Sequence, residues 1–157
     1  MDINKIEIRM AEESDWEDAV ALAWRTFLEF EAEDYGPEGT RSFQDFITDQ
    51  TLKKMFLKGQ YQMMVAKSAG KILGLITVRN ENHISLLFVD KAFHRMGIGK
   101  KLIYSLAEYL GTENNQISMT VYAAPYAVAF YQKLGFRKLD EEHTDGGIRY
   151  TPMIFYI

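Results

Sequence analysis

The sequence contains no cysteine. Disulfides, thiolate metal sites and a cysteine nucleophile are therefore excluded, since each needs the sulfur. A covalent acyl-cysteine route is excluded with them. No apolar run reaches membrane-spanning length, and the N-terminal MDINKIEIRM lacks the charged stretch, apolar stretch and small-residue cleavage site of a secretory leader. The cytoplasm is the expected location, and no membrane partner is expected. A basic surplus is missing too. The formal net charge is −4, whereas phosphate backbones are held by clustered Lys and Arg, so no nucleic-acid partner is expected.

What is present suits an ordinary globular protein. The 157 residues are 47% hydrophobic, 25% charged and 13% aromatic, enough apolar material for one core, and a single domain over residues 1–157 is expected.

Alternation in Ile6–Met10 predicts a strand. Ser14 and Glu17 form a capping-box signature for a helix that carries Trp16, Val20, Trp24 and Phe27 at helical spacing and runs to about Phe30. Gly36, Pro37 and Gly39 then predict a loop, followed by a short amphipathic helix with Phe43, Phe46 and Ile47. The strands YQMMVAK and KILGLITVR, joined by a tight turn at Ser68–Gly70, and HISLLFVD make three antiparallel strands. Met63 and Met64 lie within the first of them and read as core.

Leu102, Ile103, Leu106 and Leu110 predict a helix from Gly99 that Gly111 ends, and ISMTVYA is the next strand. Pro125 opens a helix bearing Ala127, Phe130, Tyr131 and Leu134, which Gly135 stops ahead of a strand from Phe136. Asp145, Gly146 and Gly147 predict a hairpin turn before the terminal strand IRYTPMIFYI, where Pro152 argues for an edge or a bulge. That strand is apolar enough to pair with another subunit, so a homodimer is a conceivable assembly. Taken together, the order predicts an α/β (α+β) sandwich.

The segment HISLLFVDKAFHRMGIGKKLIYSL carries Lys91, His94, Arg95, Lys100 and Lys101 within eleven positions, opposed only by Asp90. Such a local reversal in an acidic chain points to an anionic ligand. A helix start offers main-chain N–H groups without intrahelical partners, and Gly97 and Gly99 let phosphates approach them. A dinucleotide fingerprint fails because Leu102 stands where a third small residue is needed, and a P-loop fails at His94 and Lys101.

FHRMGIGKKL resembles the acyl-coenzyme A signature of the GNAT superfamily of N-acetyltransferases, with His94 where Gln or Arg is usual. YAAPYAVAFYQKLGF is similar to the later motif of that family, with Phe130 and Tyr131 before Gly135 and Phe136, and Ala124 where Asn is common. The resemblance implies a mixed, mostly antiparallel sheet flanked by helices on both faces, with acetyl-CoA as cosubstrate. It places the pantetheine arm against the strand of Leu87, Phe88 and Val89, and the pyrophosphate on His94, Arg95, Met96, Gly97, Ile98, Gly99 and Lys100. Ala124 and Phe130 complete the cofactor contacts, and Tyr131 becomes the general acid to the departing sulfur.

For the acceptor, Glu29, Glu31, Glu33 and Asp34 end the first helix and can attract a cationic amine, with Tyr35 and Glu38 beside them. Glu29, Glu33 and Tyr35 are the substrate-binding candidates, and no base is singled out. His83 and His143 read as ordinary strand or loop residues, so no metal site is expected. The function expected is direct acetyl transfer to a small-molecule or peptide amine, with a polyamine, an aminoglycoside or a lysine among the acceptors left open. The alternative is a non-catalytic acyl-CoA-binding sensor, prompted by His94 and Ala124, or an interaction module of the same fold.

Overall fold

A computed structural model describes residues 5–157; the first four residues of the decapeptide read for a leader lie outside the described part. β1 (Glu7–Met10) leads through a short turn into α1 (Trp16–Phe30). The turn is not fixed by Ser14 and Glu17 as the pattern suggests. Instead the Glu12 N–H donates to the Asp15 carboxylate at 2.8 Å. Asp15 is buried and also accepts from Arg9 at 2.8 Å and Lys67 at 3.1 Å, so it ties the start of α1 to β1 and to its neighbouring strand. α1 buries Ala19, Leu22, Ala23 and Phe27 against the sheet.

The expected loop after α1 is nearly absent. α2 (Ala32–Thr48) starts at once and leaves helical geometry only at Gly36, whose φ of 68° and ψ of −177° make a sharp kink. A side chain would be strained there, and Pro37 restarts the helix because its fixed φ suits a first turn. A third helix, α3 (Gln50–Leu57), follows, opened by Asp49, whose side chain accepts from the Thr51 N–H at 2.8 Å. Phe27 and Phe43 stack with centroids 4.1 Å apart, and Phe43 meets Phe88 edge-on at 5.7 Å. This aromatic column fixes α1 and α2 to the sheet.

The sheet contains β2 (Gln62–Ser68), β3 (Lys71–Arg79), β4 (His83–Val89), β5 (Ser118–Ala123), β6 (Arg137–Lys138) and β8 (Ile148–Tyr156), in the order β1-β2-β3-β4-β5-β8-β6, with β7 (His143–Asp145) paired to β8 as a hairpin. All pairs are antiparallel except β4 with β5, which are parallel and pair only at His83↔Thr120 and Ile84↔Val121. Beyond Ile84 the two strands part.

β4 also carries an extra residue, since Thr77 faces Leu86 while Val78 faces Ile84, leaving Ser85 unmatched. The bulge is held from below: the buried Tyr61 hydroxyl lies 2.7 Å from Thr77 Oγ1 and 3.1 Å from Ser85 Oγ, and the Leu86 N–H donates to Thr77 Oγ1 at 3.0 Å.

One apolar cluster packs α1, α2 and α3 on one face of the sheet, and a second packs α4 (Ile98–Glu113) and α5 (Val128–Lys133) on the other. Leu102, Ile103, Leu106 and Leu110 of α4 are fully buried, so a Leu102→Ala change costs about 2–5 kcal/mol. Gly111 does not end α4. It lies inside the helix, where a Cβ would come 2.9 Å from Ile157 Cγ2.

Nor is β8 an edge. Its Pro152 carbonyl accepts from Leu139, just past β6, so the nitrogen that lacks a proton also faces the side where β6 has run out. β8 pairs with β5 along Thr151–Tyr156, with β6 at Met153 and Ile154 and with β7 along Ile148–Tyr150, so it lies inside the sheet and not at its rim. Among the described residues, no helix is long and apolar enough to cross a membrane.

Candidate active site

The parting of β4 from β5 opens a cleft of about 750 Å³ that runs from the start of α4 to the α1–α2 junction. Three structural features meet in it.

The first is the turn into α4. Arg95 has φ 64° and Gly97 has φ 79°, and Gly97 is the N-cap with no side chain to bond the helix amides. Intrahelical bonding begins with Lys101 N–H to Gly97 O at 3.0 Å, which leaves the amides of Ile98, Gly99 and Lys100 without helical partners. Together with the helix dipole they favour an anion. Gly99 is needed for packing as well, because a Cβ there would sit 3.3 Å from Phe130 Cζ. Of the basic cluster, Lys91 is paired with Glu29 at 2.7 Å, while Arg95 and Lys100 line the cleft.

The second is the free edge of β4. The N–H groups of Leu86 and Asp90 bond to β3, through Thr77 Oγ1 and Leu73 O, and Phe88 lies in register between them opposite Leu75. Strand alternation therefore turns the main-chain groups of Leu87 and Val89 toward the cleft. Phe88 lines the cleft as well, but its amide faces β3, so it is not one of the exposed main-chain donors. The Val89 carbonyl is already used: His94 donates its Nε2–H to it at 2.7 Å. His94, standing where Gln or Arg is usual, thus pins the loop to the strand end and packs on Phe30 with centroids 5.0 Å apart.

The third is an aromatic and acidic group. Tyr131 is buried at 5% exposure and lines the cleft, and among the described residues its hydroxyl has no hydrogen-bond partner. A tyrosine serving only to fill space usually bonds its hydroxyl. Burial pushes the Tyr131 phenol above the ordinary tyrosine value, and Glu31 and Tyr35 push it the same way. Glu31 accepts a hydrogen bond from the Tyr126 hydroxyl, linking the α1–α2 junction to the β5–α5 connection. Burial raises the Glu31 carboxyl above its usual range, the Tyr126 hydrogen bond opposes this, and Asp34 adds to it. Tyr35 is also raised, by burial first and then by Glu31 and Asp34.

The cleft gathers Leu87, Phe88, Val89, His94, Arg95, Gly97, Ile98, Gly99, Lys100, Ala124, Phe130, Tyr131 and Tyr35 of the residues expected from sequence. Three fall outside it. Met96 packs against the α4-side core, Glu29 is turned to Lys91, and Glu33 lines a separate shallow groove with Gly36 and Arg41. Glu38 is exposed on α2 and does not line the cleft. Ala124 is buried and caps the turn at Pro125 without a side-chain bond. The sequence points to Glu29 and Glu33 in place of Glu31, which is the one of the three that lines the cleft, and gives no sign of Tyr126.

The parted parallel pair and the uncapped helix start give one cleft both a free strand edge and a site suited to an anion. A profile of the "Acetyltransferase (GNAT) domain" matches residues 31–157, and the chain belongs to that family. It is 24% identical over 143 residues to the uncharacterized N-acetyltransferase YafP of Escherichia coli (strain K12), covering 91% of this chain and 89% of that protein. A GCN5-related N-acetyltransferase from Rhodopseudomonas palustris superposes with a TM-score of 0.83 at 21% identity, covering 100% of this chain and 99% of that one. PaiA N-acetyltransferase from Thermoplasma acidophilum, solved in complex with coenzyme A, gives 0.76 at 19% identity, with 97% and 99% covered.

Proposed function

We propose that the chain, acting as one domain over residues 1–157, transfers an acetyl group from acetyl-CoA to a primary amine by direct attack within a ternary complex. Acetyl-CoA supplies an acyl thioester whose carbonyl carbon is open to a neutral amine. The amides of Ile98, Gly99 and Lys100 receive the diphosphate, with Arg95 and Lys100 adding positive charge. Leu87 and Val89 offer main-chain groups to the pantetheine arm, and one of their N–H groups polarises the carbonyl, a contribution of roughly 3 kcal/mol for a well-placed donor. Tyr131 gives a proton to the departing sulfur. A thiol of pKa near 8.5 needs less help than the carbonyl oxygen, so positioning outweighs proton donation.

The observation that carries this reading is Tyr131, a buried side chain that lines the same cleft as the open β4 edge and whose hydroxyl has no hydrogen-bond partner among the described residues. Calorimetry with coenzyme A, followed by thiol release from acetyl-CoA over an amine panel, tests it. Binding with release supports transfer; absence of both overturns it. A non-catalytic sensor is the second reading, favoured by Ala124, which has no polar side chain to offer the pantetheine. It requires binding without release for every amine.

A further inference from the structure

Among the residues lining the cleft, Glu31 is the single acidic one; the cations Arg95 and Lys100 lie with the turn into α4. The same cleft is lined by the rings of Phe30, Tyr35, Phe43, Phe88, Tyr122 and Tyr126, of which Tyr126 and Tyr35 lie beside Glu31. Glu31 does not drift in solvent, because the Tyr126 hydroxyl holds one of its oxygens across 95 positions of sequence. It lies near enough to Tyr131 for its charge to act on that phenol. The other groups facing it are Tyr35 and Asp34, both on α2, and Asp34 does not line the cleft.

We infer that Glu31, braced by Tyr126, receives the ammonium of the acceptor and takes its proton, and that the acceptor is a monoamine with an apolar or aromatic body. The inference rests on the acetyl-transfer reading and deepens it. A single carboxylate pairs one ammonium. A polyamine would bring a second or third charge among rings with no anion to meet it, and an unpaired charge out of water is costly. Aromatic walls instead gain from covering an apolar body.

The protons balance. The ammonium gives one proton to the Glu31 carboxylate, which later releases it to solvent. The neutral nitrogen forms the C–N bond as the C–S bond breaks, Tyr131 gives its proton to the sulfur, and the second proton, shed by the acylated nitrogen, restores the Tyr131 phenol. The products are an amide, a thiol and one proton. The upward push of burial on Glu31 suits this role, since a base works best with a pKa near the working pH.

The test uses acetyl-CoA with 2-phenylethylamine and spermidine as probes, on the wild type, Glu31→Gln and Tyr126→Phe. The wild type is expected to favour 2-phenylethylamine in kcat/KM by about tenfold or more. Glu31→Gln should lower that value by about 100-fold, and Tyr126→Phe should raise the amine KM by a few-fold with a smaller effect on kcat. Coenzyme A affinity by calorimetry should stay within about twofold in both variants, showing that fold and donor half are intact. A preference for spermidine, a Glu31→Gln enzyme within about threefold of wild type, or coenzyme A binding with no thiol release from acetyl-CoA when 2-phenylethylamine is the acceptor would overturn the inference. Failure of the wild type to bind coenzyme A, seen before any amine is added, would instead sink the acetyl-transfer reading beneath it.

Discussion

His94 donates its Nε2–H to the main-chain carbonyl of Val89 at 2.7 Å, so the loop that leads into α4 is fastened to the very end of the strand it has just left. Because a carbonyl can only accept, the ring must carry its proton on Nε2. His94→Ala removes this tie together with the packing on Phe30. Coenzyme A affinity should fall by about threefold to tenfold, the effect of one modest hydrogen bond, with kcat at saturation little changed. Titration calorimetry decides it, and unchanged affinity would show that the imidazole does not organise the turn.

Tyr131→Phe keeps the ring, and with it the edge-on contacts to Phe130 and Phe136, while deleting the hydroxyl. We expect kcat to drop by about tenfold or more while thermal stability holds. The raised phenol also fixes a pH signature. Tyr131 stays protonated through neutral and moderately alkaline pH, so its own ionisation should cause no loss of kcat between about pH 7 and pH 9. Equal kcat for both enzymes across that interval would remove the assigned role.

Gly97→Ala places a side chain at φ 79°, which costs about 1–2 kcal/mol and disturbs the amides that follow. Melting temperature should fall by about 2–4 °C per kcal/mol for a chain of this size, and coenzyme A affinity should weaken with it. An alanine variant with wild-type melting and affinity would contradict the geometry described for the turn.

Asp15 provides a pH test of the fold away from the cleft. Burial pushes its carboxyl up, but hydrogen bonds from Arg9, the Glu12 N–H and Lys67 outweigh this and hold it at about 2. The folded value is below the unfolded one, so the stabilisation is complete above about pH 4 and is lost as pH falls toward about 2. Asp15→Asn should cost about 2 kcal/mol or more at pH 7. The gap between the two proteins in urea unfolding should narrow below about pH 3; a constant gap would show that the charge is not the source.

Strands β2, β3 and β4 and helix α1 could be read from the sequence because their apolar periods agree with the faces they bury. The start of α4 was legible for a chemical reason, two glycines among cations in an acidic chain. Elsewhere local signals misled. Ser14 and Glu17 fit a capping pattern that Glu12 and Asp15 satisfy, since Asp15 is also claimed by Arg9 and Lys67 from other strands. Gly36, Pro37 and Gly39 promised a loop, but only Gly36 leaves the helix. Asp49 followed by Thr51 was a usable start signal for α3, overlooked because no glycine or proline separates α3 from α2.

Glu31 could not be told from Glu29 or Glu33, because the choice depends on the helix break at Glu31 itself, where φ is −120° and ψ is −28°. That break sends Glu29 to Lys91 and Glu31 to Tyr126. Tyr126 carried no pattern of its own, being one tyrosine among nine.

The gap between β4 and β5 has a consequence for solubility as well. An unpaired strand margin is normally where a second chain adheres and aggregation begins. Here that margin, at Leu87 and Val89, lies in the middle of the sheet, inside a cleft that the end of α1 and the His94 loop also line. A foreign strand lying flat cannot dock along so recessed a margin, yet its amides stay wet and should exchange with deuterium as quickly as those at a sheet's rim.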